Sequence, residues 1–294
     1  MEMTIICSTI GRWDNLEKTL EALFDGKRKP DHVIIANQAN SSLPNFQYGG
    51  DRITEVISSP GLSVGRNAAI NYALEELTSQ KKDPSRSCFI VLDDDVLVSK
   101  KSLEEIESHF NNQNEIVFVS GYLRNQNPKF IRQKKKKKHK LLNSKNFYGH
   151  TIESAVSFRA SVIAESGVRY DERFGLGPDT VFKSGEGILF ASGILSFQSP
   201  GLYCPDYQVE ELYNGGEYSE STKRIWNYAV GEGAALSATL SSRWLLHRIL
   251  LRPVVGILFT LIRIQWRNAF NKSIRLMGLI RGAIEYHKIR RKSS

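Results

Sequence analysis

Five short apolar runs set the tightest limit on how this chain can fold. Thr4–Cys7, Val33–Ala36, Ile53–Ile57, Phe89–Leu92 and Ile116–Val119 are each four or five residues long and lack the polar alternation of a half-exposed strand. Strands covered on both faces read this way. Between them, Asn15–Phe24, Val64–Leu77 and Ser102–Phe110 repeat apolar residues at three- and four-residue steps, the period of a helix packed along one side. Strands alternating with such helices predict an α/β class, a parallel sheet with crossover helices on its faces. With 294 residues, 41% of them hydrophobic, the chain can bury such a core.

The pattern breaks at residues 125–149, a polar, lysine-rich stretch nearly free of β-branched residues and expected to be a mobile loop or arm. It divides a domain over 1–240 into a first half, 1–124, and a second half, 150–240. The second half carries a strand-like run at Ala155–Phe158 and helices near Gly187–Ser196 and Glu220–Leu240. Residues 241–294 differ again. Their longest uncharged run, Pro253–Ile262, holds ten residues, against about 20 for a helix that spans a bilayer. Arginines at the edges and tryptophans at 244 and 266 suit a basic amphipathic segment lying in the membrane interface. A core-packing or dimer-forming helix pair is the alternative reading.

The net charge of +9 is concentrated at Lys134–Lys138 with Lys140, and again between Arg243 and Lys292. Such an excess seeks phosphates. The aromatics are not interleaved with the basic run and no RNA-binding or helix-turn-helix pattern is present, so the reading is no nucleic acid, with an anionic membrane surface as the partner. Cys7, Cys88 and Cys204 lie far apart, without the paired spacing of a disulfide framework or a structural zinc site, and fit a reducing compartment. His32, His109, His139, His150, His247 and His287 are scattered and suggest no site of their own. Met1–Ser8 runs straight into the first strand without the form of a leader. The expected location is cytoplasmic, peripheral on the inner face of the cell membrane.

The chemistry is read from Cys88-Phe-Ile-Val-Leu-Asp-Asp-Asp95, a buried strand running into three carboxylates at its C-terminal end. Ligands of open α/β sheets bind at that end of the strands. Three adjacent like charges are costly unless a cation or hydrogen bonds offset them, and hard oxygen ligands suit Mg²⁺ or Mn²⁺ on a diphosphate. An acidic strand-to-helix turn with Asp95 near the helix start is the bland alternative.

Here the chain resembles the family 2 glycosyltransferases, whose GT-A fold, a Rossmann-like nucleotide-binding sheet flanked by helices, carries an Asp-x-Asp motif at this place. The resemblance implies that Asp95 ligates the metal and that Asp93, with Asp94, faces the nucleotide sugar. Ile5-Ile-Cys-Ser-Thr-Ile-Gly-Arg12 is similar to the family's first strand and nucleoside loop, which implies donor contacts from Ser8, Thr9 and Arg12. Asn37, in Val33-Ile-Ile-Ala-Asn-Gln-Ala-Asn-Ser41, falls where the family has an aspartate that reads the base; on the residues alone it could equally be a turn residue. Pro60-Gly-Leu-Ser-Val-Gly-Arg-Asn67 resembles the Gly-x-Ser-x-Ala-Arg-Asn signature, with Ser63 able to cap a helix and Arg66 to face an anion.

Tyr170-Asp-Glu-Arg-Phe-Gly-Leu-Gly-Pro178 and Lys183-Ser-Gly-Glu-Gly187 are similar to the segment that carries the family's general base. Glu186 takes that role, Gly187 stands where a second acid is usual, and Asp179 is the reserve; complementing a helix dipole is the alternative for Glu186. Asp171 and Glu172 fit a role in fixing the acceptor loop. Tyr228-Ala-Val-Gly-Glu-Gly-Ala-Ala235 matches a later family helix. The histidine expected after Pro205 is replaced by Asp206-Tyr-Gln-Val-Glu-Glu-Leu-Tyr213, so Glu210, Glu211 or Tyr213 would have to serve. The implied reaction is inverting glycosyl transfer from a nucleotide-sugar donor, with Mn²⁺ or Mg²⁺, to a glycan or lipid-linked acceptor of the bacterial surface-polysaccharide kind. A sugar-nucleotide nucleotidyltransferase and a non-catalytic scaffold are the rival classes.

Overall fold

The computed structural model describes residues 1–125, 136–177, 182–197, 200–212 and 221–293. Asp179, Tyr213, Lys134 and Lys135 lie outside the described residues. Contacts divide the chain into two compact units, Met1–Arg169 with Ala191–Gly215, and Tyr170–Phe190 with Gly216–Ser294.

The first unit is built on one sheet. Strands β1 (Glu2–Thr9), β2 (His32–Asn37), β3 (Ile53–Ile57) and β4 (Ser87–Asp93) run parallel in the order β3-β2-β1-β4. Helices α1 (Trp13–Phe24) and α2 (Leu62–Ser79) make the connections, as the periodicity predicts. β1 is central, with Ile5, Ile6 and Cys7 buried against Val33, Ile35, Ile90 and Leu92. Its register places Ser8 beside Ala36 and Asp93, and Thr9 beside Asn37. Strand ends that carry polar residues therefore meet at one edge of the sheet.

Beyond β4 the expectation of a wholly parallel sheet fails. The chain turns at Asp94–Asp95 directly into β5 (Val96–Val98), and α3 (Ser102–Asn112) follows. Asp95 therefore precedes a strand, and the strand-to-helix reading does not hold. β6 (Phe118–Asn125) starts two residues later than the apolar run suggests, because Ile116 closes a turn by donating its N–H to the carbonyl of Gln113. β8 (Val156–Arg159) pairs antiparallel with both β4 and β6. β9 (Gly201–Glu211) runs parallel to β6, with a bulge between Ser120 and Tyr122, and antiparallel to β5. Within residues 125–149 the described part is ordered, since β7 (Lys140–Leu142) pairs antiparallel with β9. α4 (Ala160–Ser166) closes this portion, ending on Gly167 at φ 66°.

The helix α5 (Glu186–Ser196) begins in the second unit, which also holds α6 (Thr222–Thr239), α7 (Ser242–Leu246), α8 (Arg252–Ile262) and α9 (Trp266–Ser293). α6 and α9 cross at backbone contact. A Cβ on Gly233 would lie 2.1 Å from the Leu279 carbonyl oxygen, and one on Gly282 would lie 1.9 Å from that of Val230. Small residues permit this approach, so α9 belongs to the packing of α6. A π-helical stretch, His247–Leu251, joins α7 to α8. Arg243–Ile262 is thereby one helix of 20 residues with mean hydropathy 1.8 and only 11% buried. By length and composition alone it is long and apolar enough to cross a membrane, with Arg243, Arg248 and Arg252 inside it.

Candidate active site

The acidic triplet closes β4, and each of its three members has a different environment. Asp94 is fully buried. Thr9 Oγ1 donates to its Oδ2 at 2.6 Å, Arg12 Nε donates to Oδ2 at 3.2 Å, and a second Arg12 nitrogen pairs with Oδ1. The same Thr9 oxygen accepts from the backbone N–H groups of Gly11 and Arg12, at 3.2 and 3.3 Å. Gly11 sits at φ 96°, a conformation that glycine adopts without strain. Thr9 and Asp94 together hold the Ile10-Gly11-Arg12 loop over the strand end. Thr19 Oγ1 of α1 donates to the Asp94 carbonyl at 3.2 Å. Asp94 is thus a fixed anchor for the loop, not a group turned toward a ligand. Burial raises its pKa, and Arg12 and Thr9 oppose that rise.

Asp95 stays partly open, with a side-chain exposure of 19% and Arg12 Nη1 2.7 Å from its Oδ2. Its pKa is pushed up to about 6, by burial first, with Asp93, Asp94 and Glu211 adding to the rise and Arg12 opposing it. Burial works against the Arg12 charge, but Asp94 and Asp95 outweigh it and raise the Arg12 pKa. Glu211 ends β9, where it pairs in register with Val96, and the next N–H, of Leu212, donates to the Asp95 carbonyl at 2.8 Å. Of the acidic residues that could replace the family's histidine, Glu211 is the one brought to Asp95. Glu210 faces Arg124 at 3.6 Å instead.

Asp93 accepts from Arg66 Nη2 at 2.7 Å, while Arg66 Nη1 lies 3.8 Å from Glu153. Arg66 is only 1% exposed, so it acts as a buried strut under Asp93. Ser63 does not cap α2: the cap position is Gly61, at φ 137°, and Ser63 is buried inside the first turn. Gly65 packs closely here, since a Cβ would lie 2.8 Å from Ser8 Oγ and 2.4 Å from Gln38 Nε2, side-chain atoms that would have to shift to admit it. Ser8 Oγ is buried without a hydrogen-bond partner among the described residues. Buried hydroxyls are nearly always paired, and this one lies on β1 in register with Asp93.

Asn37 is committed internally. Its Nδ2 donates to the Ser41 carbonyl at 2.7 Å and to Glu55 Oε1 at 2.6 Å, and its Oδ1 accepts from the Ala39 N–H at 2.8 Å. Those bonds shape the 37–43 loop, where Leu43 N–H also donates to Glu55 at 3.1 Å. Any reading of a base would pass through the loop that Asn37 holds. The supporting residues Glu55, Glu153 and Thr19 escaped the sequence reading, because sequence separation gives no sign of which loops meet.

In the second unit, Glu186 is the first residue of α5 and is buried, following Gly185 at φ 99°. Ser184 Oγ donates to the Tyr228 carbonyl of α6 at 2.8 Å. A Cβ on Gly231 would lie 2.2 Å from the Ser184 carbonyl oxygen, so the glycines of the Tyr228–Ala235 motif fix the approach to Glu186. Asp171 pairs with Arg173 at 2.6 Å and accepts its backbone N–H at 3.0 Å.

A divalent cation suits this donor set. Asp93, Asp95 and Glu211 offer hard carboxylate oxygens of the kind that Mg²⁺ or Mn²⁺ takes, and Asp93 and Glu211 both add negative charge at Asp95. The Glycosyl transferase family 2 profile matches residues 4–163, from the first strand through α4. The chain belongs to this family. It has the GT-A fold. S. aureus TarS 1-349 in complex with UDP-GlcNAc aligns with a TM-score of 0.55 at 11% identity, over 98% of this chain and 92% of that one. A mannosyltransferase, PcManGT from Pyrobaculum calidifontis in complex with GDP-Man and Mn2+, gives 0.56 at 12% identity, over 97% and 86%. Against a longer S. aureus TarS structure the TM-score is 0.53 at 14% identity, and this chain spans 41% of that one. No curated protein sequence matches the chain. A family 2 glycosyltransferase transfers a sugar from a nucleotide-sugar donor.

The histidines are not all scattered. His109, on the last turn of α3, and His139, just before β7, come together with Cys204 of β9.

Proposed function

We propose that this chain is an inverting, metal-dependent glycosyltransferase that moves a sugar from a nucleoside diphosphate donor to a glycan or lipid-linked acceptor in surface polysaccharide synthesis. The observation that carries this reading is the placement of Asp93 and Asp95 beside the Ser8–Arg12 loop at the C-terminal end of the parallel strands, with Glu211 carried alongside by the pairing of β5 with β9. Asp95, with Glu211, would hold Mn²⁺ or Mg²⁺, which when bound supplies positive charge to the departing diphosphate. Asp93, set by Arg66, and the Ser8 hydroxyl face the donor. Arg12 neutralises Asp94 and part of Asp95 and keeps the loop closed over the strand end. On the motif resemblance, Glu186 accepts the proton of the attacking hydroxyl. The neighbours solved with UDP-GlcNAc and with GDP-Man and Mn2+ support a nucleotide-sugar donor.

The exposed apolar face of Arg243–Ile262 supports peripheral attachment to an anionic membrane on the cytoplasmic side. Arg248 and Arg252 stand within this helix, and charges in the bilayer centre are costly, which favours a position in the interface over a crossing.

The test is a thermal-shift screen of UDP, GDP and their sugars with and without Mn²⁺. Saturation at about 100 times the dissociation constant stabilises the fold by about 2.7 kcal/mol. Asp95→Asn is expected to lose the metal-dependent part of the shift and all turnover. The pairing of Arg12 with Asp94 and Asp95 favours one rival, a scaffold that stabilises its acidic triplet internally. A wild-type protein without any metal-dependent nucleotide shift or sugar-nucleotide hydrolysis would establish the scaffold instead.

A further inference from the structure

His109, His139 and Cys204 are remote from one another in sequence and lie on α3, immediately before β7 and on β9. The sheet brings them together. β7 is registered on β9 through Lys140 opposite Tyr203, Leu141 opposite Leu202 and Leu142 opposite Gly201, which delivers His139 to the Cys204 end of that ladder. α3 is fastened to the same strand, since Ser102 Oγ donates to the Gln208 carbonyl at 2.8 Å and accepts the Gln208 N–H at 3.0 Å. The ligand atoms of the three residues all lie within 4.8 Å of one another, and the two imidazole centroids are 5.1 Å apart.

The individual groups suit coordination. His109 Nε2 is buried and has no hydrogen-bond partner among the described residues, an arrangement that native proteins seldom leave uncompensated. Burial first, and then His139, lowers its pKa, so the ring is held neutral, the form that ligates metals. Cys204 is a buried thiol pushed up to about 11 by burial, while the backbone N–H groups of Tyr207 and Asp206 act in the opposite direction by favouring the thiolate. Asp206 also adds negative charge toward both His109 and Cys204. Ligand bonds of about 2.0–2.3 Å in a tetrahedron set donors roughly 3.3–3.8 Å apart. Exposed His139 could close the remaining distance by a small inward movement.

We propose that His109, His139 and Cys204 form a second metal site, separate from the acidic triplet, that takes Zn²⁺ or a similar thiolate-seeking cation and clasps the end of the lysine-rich segment onto α3 and β9. A sulfur and two imidazoles select such a cation over Mg²⁺ or Mn²⁺, which prefer oxygen. On binding, the Cys204 thiol releases its proton to solvent and its sulfur lone pair forms the bond to the ion, both imidazoles bind in their neutral form, and water or the Asp206 carboxylate completes the fourth position. Paired Cys and His spacing is absent from the sequence because these three residues are assembled by strand pairing and not by a local loop.

The probe is Co²⁺ alone, added to the metal-free full chain and then displaced by Zn²⁺. One equivalent is expected to give tetrahedral ligand-field bands with a thiolate charge-transfer band. Cys204→Ser should remove the charge-transfer band, and His139→Ala, at an exposed position that leaves the fold intact, should weaken Zn²⁺ binding by at least about tenfold. Asp95→Asn should leave both signals unchanged, which separates this site from the glycosyltransferase reading. A wild-type spectrum without the thiolate band, or equal Zn²⁺ affinity in wild type and His139→Ala, would overturn the proposal even if Cys204→Ser failed to fold.

Discussion

Thr9 and Asp94 show how one polar contact can position a loop at the end of a strand. The Thr9 hydroxyl serves three partners at once, the Asp94 carboxylate and the two N–H groups that shape Gly11 and Arg12. Thr9→Val keeps the volume and removes all three bonds, while Arg12 remains to pair with Asp94. A hydrogen bond to a charged group contributes about 1.5–3 kcal/mol, so urea unfolding is expected to report a loss of that order; an unchanged midpoint would refute the anchor role. Asp95 gives a pH signature. Its carboxyl titrates near 6 in the folded protein, above the unperturbed value of about 3.9. The folded chain therefore holds a proton that the unfolded chain has lost between those values, and stability from this group is full below the lower value and declines as pH rises through about 6. Mn²⁺ must displace the same proton, so its apparent affinity should fall about tenfold per pH unit below 6 and be flat above. Calorimetric titration at pH 5, 6 and 7 checks this, and a constant affinity would count against Asp95 as the ligand. The Asp-x-Asp pattern singles out Asp93 and Asp95 as candidates because like charges crowded at a strand end demand a partner. It could not disclose that Asp94 turns inward, since burial at a tight turn depends on Thr9 and Thr19, which are distant in sequence.

Among the elements, the parallel half of the sheet was legible because β1, β2 and β4 are buried on both faces and keep continuous apolar runs. β5 and β7, three residues each, carry no period that a sequence can show, although β5 is what carries Glu211 to Asp95. Helical glycines make a sharper test of packing. Gly231→Ala would put a methyl 2.2 Å from the Ser184 carbonyl oxygen, a backbone atom that can move only with the loop leading to Glu186. Overpacking of this kind costs about 1–3 kcal/mol, and turnover should fall with it as Glu186 is displaced. Gly256→Ala in α8 meets nothing closer than 3.8 Å, and there the alanine should stabilise by about 0.5–1 kcal/mol. Thermal melts of the two variants should therefore move in opposite directions; shifts of the same sign would contradict the close approach of α6 to Ser184.

Across the whole molecule, charge and exposed apolar surface were visible in composition, but the limits of the packed units were not. A compositional change at 241 marks the start of the basic tail, whereas packing depends on which helix covers which. α9 covers Ala229, Val230 and Ala234 of α6, as the contacts of Gly278 and Gly282 show. Truncation after residue 240 would expose that small-residue face, and the product should be insoluble or unfold without cooperativity. Arg243–Ile262 presents the opposite case. Trp244, Leu251, Val255, Leu258 and Phe259 are each more than half exposed, so they contribute little to the fold and are available to lipid. Replacing these five by serine should leave a cooperative thermal melt, since each surface change typically alters stability by no more than about 0.5 kcal/mol. The same variant should lose sedimentation with vesicles containing phosphatidylserine. Wild-type binding should weaken as salt rises, because basic residues beside anionic headgroups contribute about 1 kcal/mol each and are screened within a Debye length. A variant that unfolds on serine substitution would assign this helix to subunit or core packing, and a stable variant that still sediments would assign membrane attachment to another surface.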